Sequence, residues 1–236
     1  MPVIAIVGAG PGLGLAIAKT FGAQGFNVAL VSPSPRKLEP LVARLAKEGI
    51  DAAAFSANLF DRASIVSGLA AVTQHFGRID VLEFSPASPL LPTASATELT
   101  HDNVQIHIDF YVHGAVAGVN QVLPDMLARH SGTIILTTGA SSVCPHLGRP
   151  KLANVALATS GLRTWAYQLH AALAARGVQV GHVAIGGRMW RQPGATPDAV
   201  APLYWELYTQ RDLVEKVFLP EAARGQSSQA NKAAHI

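Results

Sequence analysis

Short apolar runs alternate with helical stripes along most of the chain. The first run, residues 3–7, is β-branched at four of its five positions, which is typical of a strand buried on both faces of a parallel sheet. Similar runs predict further strands at 27–31, 52–57, 80–85, 132–138, 178–185 and 216–219. The chain is therefore predicted to contain six to seven short strands.

Segments with helical periodicity separate these strands. Leu38, Leu41, Val42 and Leu45 share one face of a helix that stops near Gly49. Other predicted helices cover 15–21, 65–76, 98–130 and 153–176, and a last one opens at Thr196 and carries Leu203 and Leu207. Strands that alternate with helices predict a doubly wound parallel α/β sheet with helices on both faces. We expect one domain over residues 1–220 and a flexible tail over 221–236, where the composition is small and polar.

Composition narrows the class of protein. Hydrophobic residues make up 49% of the 236 positions and charged residues 14%, which fits a sheet covered on both faces. The net charge is only +3 and no block of Lys or Arg occurs, so we expect no nucleic-acid partner. We expect no membrane span because Gly and Pro interrupt the apolar runs. The single cysteine, Cys144, excludes an internal disulfide and favours a cytoplasmic protein.

A glycine-rich turn follows the first strand and runs directly into the first predicted helix. Gly8, Gly10, Gly12 and Gly14, with Leu13 between the last two, leave bare backbone N–H groups at a helix N-terminus. The helix dipole favours an anion such as a pyrophosphate at that position. The turn is therefore predicted to bind a nucleotide, the alternative being a tight turn without a ligand.

The motif Gly8-x-x-x-Gly12-x-Gly14 resembles the glycine motif of the short-chain dehydrogenase/reductases. Residues 78–82, 121–126 and 132–135 are also similar to segments of that family, and the resemblance covers roughly residues 1–219. It implies a single Rossmann-like domain that binds NAD(P), forms a homodimer or homotetramer, and uses its two long helices as dimer contacts. It also implies further cofactor contacts at Ser32, Asn58, Leu59, Ser85, Thr159, Ile185 and Gly186.

The family's catalytic residues are only partly present. In the family a Ser orients the substrate carbonyl, a Tyr supplies the proton and a Lys lowers the pKa of that Tyr. Ser142 matches the serine, but Val155 stands where the Tyr is expected and Thr159 where the Lys is expected. Loss of a general acid typically costs about 10²–10⁴-fold in rate.

Ser142 and Tyr111 are the catalytic candidates. Tyr111 occupies the family's Asn position on the long helix, where it could replace the missing proton donor; it could equally be a core aromatic. Ser142 could instead merely cap the end of a strand.

The preference for one dinucleotide follows from the end of the second strand. Enzymes that bind NAD usually place an acid there, whereas this chain has Ser32, followed by Arg36 and Lys37. A basic pair tolerates a 2′-phosphate, so NADP(H) is favoured over NAD(H). The alternative is that this pair is an ordinary solvated first turn.

Met189 and four aromatic residues, Trp190, Tyr204, Trp205 and Tyr208, stand where the family carries its substrate lid. They favour an apolar or aromatic substrate, or else contacts with a neighbouring subunit. The sequence thus predicts an atypical oxidoreductase that reduces an apolar carbonyl, enone or imine. The alternative is a non-catalytic dinucleotide sensor or scaffold.

Overall fold

Seven parallel strands form one sheet in a computed structural model, which describes residues 1–187, 189 and 192–220, without the side chain of Leu147. The strand order is β3-β2-β1-β4-β5-β6-β7, and each neighbouring pair is parallel. The strands are β1 (Val3–Val7), β2 (Asn27–Ser32), β3 (Ala52–Ser56), β4 (Val81–Phe84), β5 (Gly132–Gly139), β6 (Val178–Ile185) and β7 (Glu215–Phe218). This is the predicted doubly wound sheet, and the predicted tail at 221–236 lies outside the described residues.

Helices cover both faces of the sheet. They are α1 (Leu13–Gly22), α2 (Glu39–Lys47), α3 (Arg62–Phe76), α4 (His101–His107), α5 (Gly114–Ala128), α6 (Ala153–Leu173), α7 (Pro197–Val200) and α8 (Pro202–Thr209). No helix in the described ranges is long and apolar enough to cross a membrane.

Two hydrophobic cores lie on the two faces of the sheet. In β1, Val3, Ala5 and Val7 belong to the core under α3, α5 and α6, whereas Ile4 and Ile6 belong to the core under α1 and α8. Successive side chains of a strand point to opposite faces, so a strand covered on both sides is apolar throughout. That arrangement explains the uninterrupted apolar run at 3–7.

The long helical region predicted over about 98–130 is helical from His101 to Ala128, but it differs from one regular helix in two respects. It begins only at His101, because Thr100 and Asn103 form a capping box that fixes the N-terminus there. It is also interrupted by a π-helical segment, Ile108–His113, which contains Tyr111. Such wide turns are frequent at functional sites, and sequence periodicity does not reveal them.

The aromatic residues predicted to form a lid are mostly part of the core. Tyr204 is fully buried, and Trp205 and Tyr208 pack edge-on against Phe21 of α1. Within this chain Trp205 and Tyr208 pack α8 against α1, so neither the lid nor a subunit contact is needed to explain them. Met189 lines the same pocket as the glycine turn, as expected for a lid residue. Trp190 lies outside the described residues.

Candidate active site

The glycine turn leaves space where a phosphate would need it. A Cβ on Gly8, whose φ is +95°, would lie 2.5 Å from the Cα of Pro86, and one on Gly14 would lie 2.9 Å from the Cα of Ala9. These two glycines therefore allow close packing of the loops and the helix. A Cβ on Gly10 would have no neighbour within 4 Å, so this glycine faces an open cleft. This division of roles is the one that a dinucleotide-binding turn requires.

A cleft of about 420 Å³ lies above the carboxyl ends of the central strands. Most of the predicted site residues line it: Gly8, Gly10, Gly12, Leu13, Gly14, Ser85, Tyr111, Thr159 and Ile185. We call this space the central cleft. Ligands of doubly wound sheets bind in the crevice at this edge.

Two further clefts adjoin the central cleft. One, of about 240 Å³, shares Gly8 with it and is lined by the predicted residues Ser32, Asn58 and Leu59. The other, of about 410 Å³, shares Val155, Thr159 and Ile185 and adds Gly186. Its walls combine the apolar Leu152 and Leu219 with the polar His146 and Arg149.

Arg36 lies outside the lining of these clefts. It belongs to a single 3₁₀ turn, Pro35–Lys37, which begins three residues after Ser32, and is exposed. Across residues 1–187, 189 and 192–220, no ion pair is formed by Arg36.

Val155 and Thr159 stand where the resemblance predicts a Tyr and a Lys. Val155 lines the central cleft, and the Thr159 hydroxyl donates to the carbonyl of Val155 at 2.9 Å. Tyr111 lines the same cleft and stacks on His107, with the ring centroids 6.0 Å apart. Burial raises the pKa of Tyr111, so its hydroxyl is a weaker acid than an ordinary tyrosine.

Ser142 is placed differently from the prediction. It is not among the lining residues of the three clefts; its Oγ donates to the carbonyl of Gly139 at 2.9 Å and lies 2.7 Å from Thr138 Oγ1. Thr138 itself lines the central cleft. Thr138, and not Ser142, is therefore the residue of this pair that lines the cleft, because the chain turns into a 3₁₀ segment, Ala140–Ser142, directly after β5.

Thr138 is the first member of a buried series of hydrogen-bonded side chains that the sequence did not reveal. Its Oγ1 lies 2.8 Å from Nε2 of His182, and Nδ1 of His182 lies 2.9 Å from Oε1 of Glu215. Glu215 is held in turn by Arg163, at 2.7 and 3.1 Å. We call Thr138, His182 and Glu215 the Thr–His–Glu chain.

A second buried polar group lies under the same cleft. Glu83, on β4, is fully buried and accepts hydrogen bonds from Ser85 at 2.9 Å and Thr137 at 3.1 Å. Thr137 also lies 2.8 Å from the Tyr204 hydroxyl. Burial raises the pKa of Glu83 to about 8. The only sequence signal was an acid inside the apolar run of the fourth strand.

Known proteins resemble this chain over most of its length. The family model described as short chain dehydrogenase matches residues 2–189. The 3-oxoacyl-acyl-carrier-protein reductase FabG of Staphylococcus aureus is 29% identical over 191 residues, which cover 77% of this chain and 72% of the reductase.

Solved structures give the same result. A short-chain dehydrogenase from Rhodopseudomonas palustris has a TM-score of 0.79 at 27% identity, over 93% of this chain and 98% of that protein. A variant of actinorhodin polyketide ketoreductase, solved with NADPH, has a TM-score of 0.81 at 20% identity, over 92% and 95% of the two chains. The latter similarity is one of fold alone.

Proposed function

This chain belongs to the short-chain dehydrogenase family, and on that premise we propose that it is an NADP(H)-dependent oxidoreductase that reduces an apolar carbonyl, enone or imine. The observation that carries the proposal is the convergence of the glycine turn, Tyr111 and Thr159 on one cleft. The names of two similar proteins point the same way, since one is a 3-oxoacyl reductase and the other is a ketoreductase solved with NADPH.

The described residues fit a dinucleotide. The open space at Gly10 suits a pyrophosphate, which a side chain there would displace, and Thr159 can accept from a ribose hydroxyl. Asn58 and Leu59 would flank the adenine, and the exposed guanidinium of Arg36 would meet a 2′-phosphate. A bound nicotinamide dinucleotide supplies or accepts a hydride.

The catalytic wall lacks the usual acid, and this limits the chemistry. We assign Tyr111 to hydrogen bonding of the substrate oxygen and Ser142 to holding the Thr138 hydroxyl in place. Val155 and Ile185 give the wall an apolar surface that suits an apolar substrate. An enone or imine needs less from a protein acid, because the electrophile or the solvent supplies part of the proton chemistry.

The experiment is a fluorescence titration with NADPH and NADH, followed by turnover with acetophenone, 2-cyclohexenone and 1-methyl-3,4-dihydroisoquinoline. We expect tighter binding of NADPH and its oxidation by at least one of these probes. Ser142→Ala and Tyr111→Phe should slow turnover, whereas Tyr208→Phe, in the α8 core, should not. Absence of binding by either nucleotide would refute the proposal.

A non-catalytic dinucleotide sensor is the second candidate. Val155 and Thr159 favour it, because no acid and no lysine stand at these two positions of the wall. Binding of NADPH without turnover of any probe would support this function instead.

We further propose a cytoplasmic homodimer or homotetramer. Leu157 and Tyr167 are 50% and 40% exposed on α6, one of the two long helices expected to pair with a second copy. Sedimentation velocity of the wild type and of Leu157→Asp tests this pairing.

A further inference from the structure

A hydroxyl, an imidazole and a carboxylate are connected in series beneath the central cleft. Thr138 is 5% exposed and lines the cleft, whereas His182 is fully buried behind it. The contacts between the three side chains are 2.8 Å and 2.9 Å, both within ordinary hydrogen-bond distance. They come from β5, β6 and β7, three adjacent strands, so the sheet itself fixes their spacing.

The chemistry of the three groups sets the direction of the hydrogen bonds. Arg163 and His182 donate to Glu215 and hold its pKa below the usual range, although burial alone would raise it. An ionised carboxylate only accepts, so Nδ1 of His182 carries a hydrogen. In the neutral imidazole Nε2 is then an acceptor for the Thr138 hydroxyl. In the imidazolium Nε2 donates to Thr138, whose own hydrogen is then donated to the Gly139 carbonyl, 3.2 Å away, or to a substrate oxygen.

We propose that the Thr–His–Glu chain is the proton relay that takes the place of the family's Tyr and Lys in this protein. The proposal rests on the oxidoreductase function proposed above. Thr138 would be the catalytic residue that meets the substrate oxygen, and His182 and Glu215 would act through it. Ser142, which lies 2.7 Å from the Thr138 oxygen, positions that hydroxyl.

The proton balance of a carbonyl reduction is complete with these groups. A bound reduced nicotinamide would supply the hydride for the new C–H bond, and the π pair of the carbonyl would move to oxygen. That oxygen takes the Thr138 proton, and Thr138 takes the Nε2 proton of the imidazolium. His182 ends neutral, still donating through Nδ1 to Glu215. Nδ1 still carries its hydrogen, so the proton that Nε2 has lost returns from solvent in the cleft through the Thr138 hydroxyl.

Several charged or titratable groups act on His182. Glu215 contacts it from β7, Arg163 and Tyr167 lie around Glu215 on α6, and His170 of α6 bonds to the carbonyl of Val180 on the same strand. From β5 the contact is the uncharged Thr138. Burial lowers the pKa of His182, partly offset by the hydrogen bond and charge of Glu215. Reduction needs the imidazolium, so it should slow as pH rises through this pKa.

The test combines nuclear magnetic resonance with kinetics on the full chain. Labelled histidine reports the tautomer and the pKa of His182 without any nucleotide. We expect hydrogen on Nδ1 in the neutral form, and a lower pKa in Glu215→Gln. The kcat for reduction of the best of the three probes named above should fall as the pH rises through the same pKa. A hydrogen on Nε2 in the neutral form, or a mismatch between the two pKa values, would overturn the relay.

Substitutions separate the relay from a structural role. Thr138→Val should lower kcat about 10²-fold or more while NADPH affinity stays within about twofold, and Thr138→Ser should restore most of the rate. The control is Thr133→Val on the same strand, which removes a buried hydroxyl without a hydrogen-bond partner in the described structure. His182→Gln should remove the inflection in the pH profile of kcat. If this variant does not fold, the comparison of Thr138→Val with Thr138→Ser decides.

The relay and the proposed function fail in different ways. If NADPH binds and the probes react but Thr138→Val matches wild type, the relay is refuted and the oxidoreductase stands. If NADPH binds and no probe reacts, or if NADPH does not bind, the proposed function is refuted and the relay with it.

Discussion

The protein is predicted to lose stability as the pH rises, because of the buried side chain of Glu83. It is the one acidic side chain that is fully buried in the described residues, and burial raises its pKa from the usual 4.5 to about 8. The folded protein therefore keeps this proton at pH values where the unfolded chain has lost it. The stability that the neutral carboxyl contributes is complete below about pH 4.5 and disappears as the pH rises to about 8.

The magnitude follows from the two pKa values. A difference of one pH unit corresponds to about 1.4 kcal/mol, so the interval from 4.5 to about 8 corresponds to roughly 5 kcal/mol. Stabilities of domains are typically about 5–15 kcal/mol, so the effect is large enough to measure easily. Glu83→Gln keeps the shape, and its amide can accept from one of the two neighbouring hydroxyls and donate to the other. It cannot ionise, so its stability should lack this dependence on pH.

Urea unfolding at pH 5, 7 and 9 measures the effect. The free energy of unfolding of Glu83→Gln minus that of wild type should grow by several kcal/mol from pH 5 to pH 9. The same difference for Glu39→Gln, an exposed acid on α2, should stay constant. A Glu83→Gln difference that is equal at pH 5 and pH 9 would show that the carboxyl is ionised in the folded protein, contrary to this reasoning.

Three further predictions concern the glycine turn, Arg36 and the 86–97 loop. Gly10→Ala should fold normally yet weaken NADPH binding about tenfold, that is, by about 1.4 kcal/mol. Gly8→Ala should instead destabilise the fold by roughly 1–3 kcal/mol, because the φ of Gly8 is positive. Thermal melts and fluorescence titrations distinguish the two variants, and equal effects of both on stability and on NADPH binding would contradict the roles assigned to these glycines. Arg36→Ala should weaken the binding of NADPH by about 1.5–3 kcal/mol and leave the binding of NADH unchanged. Lys37→Ala is the neighbouring comparison, and equal losses for both nucleotides in Arg36→Ala would exclude a 2′-phosphate contact. Asn154→Leu should cost at least about 1–3 kcal/mol and open the 86–97 loop to proteolysis, because its buried amide bonds to Ala94 and Pro92; an unchanged melt would refute this role.

The fold was predictable because its signals are local. The apolar run at 3–7, the glycines that follow it and the alternation of later strands with helices each depend on neighbouring residues. The seven strands lie within a residue or two of their predicted bounds. The break at Ile108–His113 was missed because a π turn leaves the helical pattern of side chains nearly unchanged. Pro202, which divides the last predicted helix into α7 and α8, was a signal that could have been used.

The nucleotide side of the site was also local, but the catalytic side was not. Thr138, His182 and Glu215 are separated by more than thirty residues at each step, and only the order of strands β5, β6 and β7 brings them together. His182 stands in an apolar run and Glu215 next to Lys216, so neither has a distinctive sequence context. A search by family motif leads to Ser142, which contacts Thr138 but does not itself line the cleft.

The two buried networks meet the cleft through neighbouring residues. Adjacent side chains of a strand point to opposite faces, so Thr137 leads to Glu83 on one side of the sheet and Thr138 leads to His182 on the other. As the pH rises, Glu83 gains a negative charge and His182 loses a positive one. Both changes make the floor of the cleft more negative, and in a buried environment such charges are weakly screened. An anionic dinucleotide should therefore bind more weakly at high pH, and Glu83→Gln should remove the part of that loss that occurs near pH 8.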